Sequence, residues 1–239
     1  MESCTDKCPE MSKNICCIIL EYCGGKKTDS LYLKLTRWNP GYSIHILDNA
    51  SHQNRCSFIT RQNVTNSGIG GGIIDCLKMA KDEGARYLFF IANDIVPLTR
   101  IEIAYFEEML EKFPGIVQLS ASITKNSDQG RHFPWMINQR ASENRVVPHS
   151  DILCCALNID FIERFGGFPF SRGGWGYDWE IAYQAKLSQK LIVISDYFKI
   201  KHINESGKQD EQSKLQKLRE LQKIYDQKYG SCNTIFGVF

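Results

Sequence analysis

Apolar residues along this chain fall into short continuous runs separated by amphipathic stretches. NICCIILEY is an unbroken apolar run of strand length, closed by Gly24-Gly25. TDSLYLKLTRW follows with helical spacing, with Thr28 or Asp29 near its start. SIHILDNAS reads as the next strand and ends on a polar cluster. Beyond RCSFIT and the glycine-rich QNVTNSGIGGG, the stretch IIDCLKMAKDEGA puts Ile73, Ile74, Leu77 and Ala80 on one helical face. YLFFIA is a further buried strand, ending at Asn93-Asp94. Strand and helix in alternation predict a parallel sheet covered by helices on both faces.

The second half changes character. IEIAYFEEMLEKF is helical and GIVQLSASI strand-like, but residues 124–150 are polar and aperiodic, and include His132, Pro134, Trp135 and Pro148. A loop of that length in a compact domain points to function or mobility. DILCCALNIDFIERFGGF reads as a strand and a short helix, followed by GGWGYDWEIAYQAK, a strand LIVIS and a long helix from about 210 to 229. In that last helix Leu215, Leu218, Leu221, Ile224 and Tyr225 form one stripe, suited to packing on the domain's own body. The expected division is a tail at 1–13, one domain at 14–208 with halves of about 14–98 and 99–208, and a helix and tail at 209–239.

Composition narrows the function classes. With 239 residues, 43% of them hydrophobic and 23% charged, the chain is ordinary globular protein with one sizeable core. A net charge of +2 with dispersed basic residues gives no electrostatic case for nucleic acid or an anionic membrane surface. Two pairs among the ten cysteines, Cys16-Cys17 and Cys154-Cys155, lie inside apolar runs and point to opposite strand faces. They read as small buried hydrophobes in a reducing compartment. Cys4 and Cys8 lack the second Cys/His pair of a zinc site. MESCTDKCPEMSK has no long apolar segment, so the expectation is a cytoplasmic protein without a membrane span.

In open parallel sheets ligands bind beyond the carboxyl ends of the strands. The polar residues there are Glu21-Tyr22, Asp48-Asn49, Asn93-Asp94, and His202 after SDYFKIKH. Together they offer oxygen and nitrogen ligands for a divalent ion and acceptors for ribose and base. The cluster Gly68, Gly70, Gly71, Gly72 is followed by Ile73-Ile74 rather than the Lys-Ser/Thr of a Walker loop. It reads first as a turn that lets a helix start close to the sheet, and second as amides near a pyrophosphate. Asp178 has two readings, helix cap or proton acceptor. Asp94 is a turn residue or a ligand, and His202 is structural or a ligand.

The ordered set of an apolar strand, LDNAS, TNSGIGGG, YLFFIANDIVP, FGGF, GGWGYDWE and a late KIKH resembles GT-A-fold nucleotide-sugar glycosyltransferases of the broad family-two type, over about Ile15 to His202. Small soluble transferases encoded by large algal viruses are a particular similarity, which implies a host's cytoplasm as the location. The resemblance implies an α/β chain of GT-A fold: a single Rossmann-like, mostly parallel sheet with flanking helices, plus a C-terminal helix. It implies that Leu20, Glu21, Tyr22 and Asp48 hold base and ribose, and that Asn66 and Gly68 begin the helix beside the nucleotide. Asn93, Gly173, Gly174 and Trp175 would lie against the nucleotide sugar, with Arg131 and Trp135 on the acceptor side.

Asp94 matches the final acid of the family's Asp-x-Asp motif, which binds Mn²⁺ or Mg²⁺ on the diphosphate, and His202 matches a late histidine that completes the metal shell. Asp178 matches the base of inverting members, with Glu180 its nearest rival. Two positions depart from the pattern: Ala92 stands where the first acid of Asp-x-Asp is expected, and Tyr177-Asp178 replaces a common Glu-Asp. The implied activity is metal-dependent transfer of a sugar from a uridine-based nucleoside diphosphate donor to a glycan hydroxyl, with inversion. A retaining enzyme, a nucleotidyltransferase-like enzyme and a non-catalytic sugar-nucleotide-binding module are the alternatives.

Overall fold

Every residue of β1 (Ile15–Glu21) is buried, as an unbroken apolar run requires when both faces of a strand are covered. In the computed structural model, which describes residues 14–127, 130, 133–166, 176–203, 219, 223 and 227, β1 lies between two parallel neighbours. These are β2 (Ile44–Asp48), which carries the two-residue β3 (Arg61–Gln62) on its outer side, and β4 (Tyr87–Ala92). The crossovers are α1 (Lys26–Trp38) and α2 (Gly68–Asp82), so this half is the alternating unit that the sequence predicts.

Beyond β4 the sheet becomes mixed. In chain order follow β5 (Ile95–Pro97), α3 (Ile103–Lys112), β6 (Ile116–Ile123), a 3-10 turn (Pro134–Met136) and β7 (Asn144–Val147). Then come β8 (Cys154–Asn158), α4 (Ile159–Arg164), α5 (Tyr177–Leu187) and β9 (Leu191–His202). The spatial order is β3-β2-β1-β4-β8-β6-β9-β5, with β7 also on β9. β8 is antiparallel to both β4 and β6, while β6 and β9 run parallel. β5 and β7 pair antiparallel with β9. The α/β class stands, but parallel pairing is confined to the first half and to β6 with β9.

Three elements differ from their sequence patterns. Residues 124–150 hold the 3-10 turn and β7 rather than loop alone; β7 is a short strand whose Val146 faces solvent, so it shows no alternation to read. β9 continues past Ser195 to His202 through an irregularity, where Ala121 pairs with Ser195 but Ser122 pairs with Lys199. α2 begins at Gly68 and takes the glycines into its first turns. Gly72 explains why: a Cβ there would sit 2.6 Å from Leu20 Cδ2, so only glycine lets α2 close onto β1.

The paired cysteines are core. Cys16, Cys17, Cys154 and Cys155 are buried free thiols. Burial pushes Cys16 and Cys154 up to about 12 and lifts Cys17 and Cys155 well above the ordinary thiol range, so none is a ready nucleophile. Among the described residues no helix is long and apolar enough to cross a membrane. Arg219, Lys223 and Gln227 are helical and exposed, four apart on one polar face. The leucine stripe expected beside them lies outside the described residues, as do Cys4, Cys8, Arg131, Gly173, Gly174 and Trp175.

Candidate active site

The carboxyl ends of β1 and β2 form one wall. Glu21 is fully buried and accepts hydrogen bonds from Gly24 N at 2.6 Å, Gly25 N at 3.1 Å, Asn93 Nδ2 at 2.8 Å and the Thr28 hydroxyl. Asn93 also donates to Tyr22 O at 3.2 Å. Glu21 thus ties the end of β1 to the start of α1 and the end of β4. Gly24 has no room for a side chain, because a Cβ would meet Asn93 Nδ2 at 2.4 Å. Leu20 packs beneath α2. The side chains of Leu20 and Glu21 are taken up inside the fold, which leaves the backbone at the end of β1 to face a ligand.

Asp48 is different. It is fully buried and its Oδ1 accepts from Ser51 N at 2.9 Å, but its Oδ2 has no hydrogen-bond partner among the described residues. A buried carboxylate oxygen left open is costly unless something donates to it. Beside it, Asn49 Nδ2 donates to Asn66 Oδ1 at 3.1 Å and Gly68 O at 2.9 Å. Asn66 Oδ1 also accepts from Gly68 N at 2.8 Å, and Gly68 adopts φ 72. Asn66 and Gly68 thereby shape the entry to α2. Tyr22 is half-buried, with its hydroxyl 3.5 Å from His52 Nδ1.

β5 brings the second set together. Its antiparallel pairing sets Ile95 opposite His202, so Asp94 and His202 become neighbours from 108 residues apart, with Asp94 Oδ2 3.0 Å from His202 Nε2. Ile203 N donates to Asp94 O at 2.9 Å, and His202 N donates to Ser127 Oγ at 3.2 Å, which fixes both backbones. A carboxylate and an imidazole suit Mn²⁺ or Mg²⁺. Among the described residues no group of three His, Cys, Asp or Glu side chains is arranged to hold a metal ion, and Ala92 is a buried strand residue. The fit is to an ion held partly by protein and partly by its ligand.

The third set lies at the start of α5. Gly176 precedes it in the left-handed region at φ 93, where glycine is unstrained. Asp178 sits in the first turn, yet its own side chain is not turned back as a cap. Its Oδ2 lies instead 2.6 Å from His149 Nε2, with the two side chains 15% and 3% exposed respectively. Glu180 is fully buried and accepts from Gln184 Nε2 at 2.9 Å, and Trp179 is buried as well. Asp178 is therefore the acid of this pair that solvent can reach. Trp135 donates its indole N–H to His149 O at 2.7 Å.

Asp151 lies two residues after His149, just ahead of β8. Burial, and then the charge of Asp178, pushes its carboxyl up to about 6, while His149 and His202 act in the opposite direction. The topology agrees: β4, β6 and β9 run parallel, and β8 begins where β4 ends, with Ala92 N donating to Leu153 O at 2.8 Å.

No family model matches the chain, and no curated protein matches it. Among solved structures it is similar to GalNAc-T7, crystallised with UDP, GalNAc and Mn²⁺, with a TM-score of 0.60 at 11% identity. The chain has the GT-A fold. The likeness covers 79% of this chain but 43% of the GalNAc-T7 chain, so this chain spans less than half of that protein.

His149 and Asp151 are absent from the sequence-derived site. Residues that follow parallel strands mark the rim in the sequence, whereas β8, being antiparallel, presents its beginning there. His149-Ser150-Asp151, lying just ahead of β8, would have been found once its direction was known. A hollow of about 260 Å³ between α2 and α4, lined by Ile74, Leu77, Ile159 and Ile162 among others, contains none of these residues.

Proposed function

We propose that this chain is a metal-dependent glycosyltransferase, moving a sugar from a nucleoside diphosphate, uridine diphosphate first, to a hydroxyl of a glycan. The observation that carries this is the Asp94–His202 pair, set 3.0 Å apart at the end of the sheet by the pairing of β5 with β9 in a chain of GT-A fold. The GT-A neighbour bound to UDP and Mn²⁺ supports the same reading.

Asp48 Oδ2, a buried acceptor lacking a donor, suits an N–H of the base or an O–H of the ribose. Tyr22, Asn66, Gly68 and Asn93 are proposed beside the nucleotide as well. Asp94 and His202 would hold the divalent ion, with diphosphate oxygens and water completing its shell, which makes the alanine at position 92 tolerable. The ion, when bound, supplies Lewis-acid stabilisation of the charge on the departing diphosphate. Gly173, Gly174 and Trp175 are proposed for the donor-sugar side, and Arg131 and Trp135 for the acceptor side.

Asp178 is the proposed base. As the acceptor oxygen bonds to the anomeric carbon and the sugar–diphosphate bond breaks, the hydroxyl proton passes to the carboxylate oxygen of Asp178 that is not held by His149. Such proton acceptance contributes about a hundred- to ten-thousand-fold in rate. A single displacement inverts the anomeric centre.

The test is a screen of nucleotide sugars with Mn²⁺, read as donor hydrolysis and transfer. Asp178→Asn should keep donor binding and lose transfer by about a hundredfold or more, while Asp94→Asn should weaken donor binding itself. Full activity in both variants would overturn the assignment. A product of retained configuration by NMR would remove the single-displacement role of Asp178.

A further inference from the structure

We propose that His149 is the positioning residue for Asp178, holding one carboxylate oxygen so that the other faces the acceptor hydroxyl. The proposal rests on the reading of Asp178 as the base. An aspartate in the first turn of a helix has backbone N–H groups within easy reach, yet Asp178 does not cap α5 and meets His149 at 2.6 Å. A free aspartate rotates about χ2 and interchanges its oxygens; a hydrogen bond from a ring that is itself fixed removes that freedom.

His149 is fixed from several sides. Its carbonyl accepts from Trp135 Nε1 at 2.7 Å, and the Phe133 ring packs against its imidazole with centroids 4.6 Å apart. The segment that carries Phe133 and Trp135 is anchored in turn. Arg145 donates from Nη1 to Trp135 O at 3.0 Å and from Nη2 to Ile137 O at 3.2 Å. Its guanidinium is gripped by Asp196 through two bonds, at 2.6 and 3.1 Å. Asn138 donates to Asp196 O at 2.9 Å and Ser122 Oγ at 2.7 Å, so the turn is fastened to the sheet. Within this polar stretch Trp135 therefore holds the backbone of His149, while its half-buried ring stays available to an acceptor. Orientation of this kind is worth a great deal, since about 1 Å of misplacement can cost about a hundredfold in rate.

The experiment compares His149→Phe and His149→Gln with the parent and with Asp178→Asn, measuring kcat, donor KM and melting temperature. Phenylalanine keeps a ring against Phe133 but removes the donor, whereas glutamine carries an amide N–H to nearly the same point. The expected result is a fall in kcat of about a hundredfold for His149→Phe with donor KM little changed, and recovery of most of kcat in His149→Gln. An inactive Asp178→Asn beside a fully active His149→Phe overturns the role of His149 alone, as does a His149→Gln that folds but stays as slow as His149→Phe. An active Asp178→Asn overturns the base assignment and the positioning role together.

Discussion

Glu21 and Asp48 stand opposite each other in the register of β1 and β2, and both are fully buried, but their surroundings differ. Four donors surround Glu21, while one oxygen of Asp48 has none among the described residues. Their substitutions should therefore separate stability from binding. Glu21→Gln sets an amide N–H against donors, which should cost about 1–3 kcal/mol of stability in urea unfolding. Asp48→Asn should leave stability nearly unchanged and weaken uridine diphosphate binding by about tenfold, or about 1.4 kcal/mol. Sequence alone could not divide these roles, because both acids end apolar strands and only their partners distinguish them. Asp94 follows the plain run YLFFIA, Asp178 opens the helical run WEIAYQAK and His202 closes KIKH, so the sequence names all three; His149 and Asp151 are not named by it, because the direction of β8 decides which of its ends meets the rim.

Asp151 also makes a statement about pH. Its carboxyl is pushed up to about 6 from an ordinary value of 3.8, first by the loss of water around it and then by the charge of Asp178. The folded state holds this proton more tightly than the unfolded state does. That contribution is complete below the unfolded value and is lost as pH rises through about 6. Asp151→Asn cannot ionise, so in metal-free protein it should melt above the parent at pH near 8. Near pH 4 the advantage should shrink. An equal difference at both pH values would contradict this account of Asp151.

At the scale of elements, the close approach of α2 to β1 and the pairing of β5 with β9 do most to build the site. Gly72→Ala would place a methyl 2.6 Å from Leu20 Cδ2 and 2.8 Å from Leu20 Cδ1, inside a filled core. The expected cost is about 1–3 kcal/mol by denaturation, although alanine is the better helix former on an open surface. A neutral or stabilising effect would show that α2 is free to shift. The glycine cluster was readable as a close approach, but that the helix runs through it was not, since only Leu20 beneath Gly72 makes glycine tolerable there. β5 and the extension of β9 were hidden for another reason: each is short or irregular alone, and the register of Ile95 with His202 exists only once the two are paired.

For the whole molecule, the alternation of the first half reported its parallel strands faithfully. The second half enters the same sheet antiparallel through β8, whose buried residues look no different from those of a parallel strand. That entry sets the two halves side by side, so the carboxyl ends of β1 and β2, the Asp94–His202 pair and the Asp178–His149 pair share one end of the sheet. The central claim is that a nucleoside diphosphate and a divalent ion occupy this end together. Calorimetric titration with uridine diphosphate, with Mn²⁺ and after chelation, tests it most directly. The predicted result is binding with Mn²⁺ that weakens by about tenfold or more on chelation, and an Asp94→Asn variant that binds with Mn²⁺ no better than the chelated parent. Absence of binding under either condition, or equal affinity with and without the ion, would contradict it.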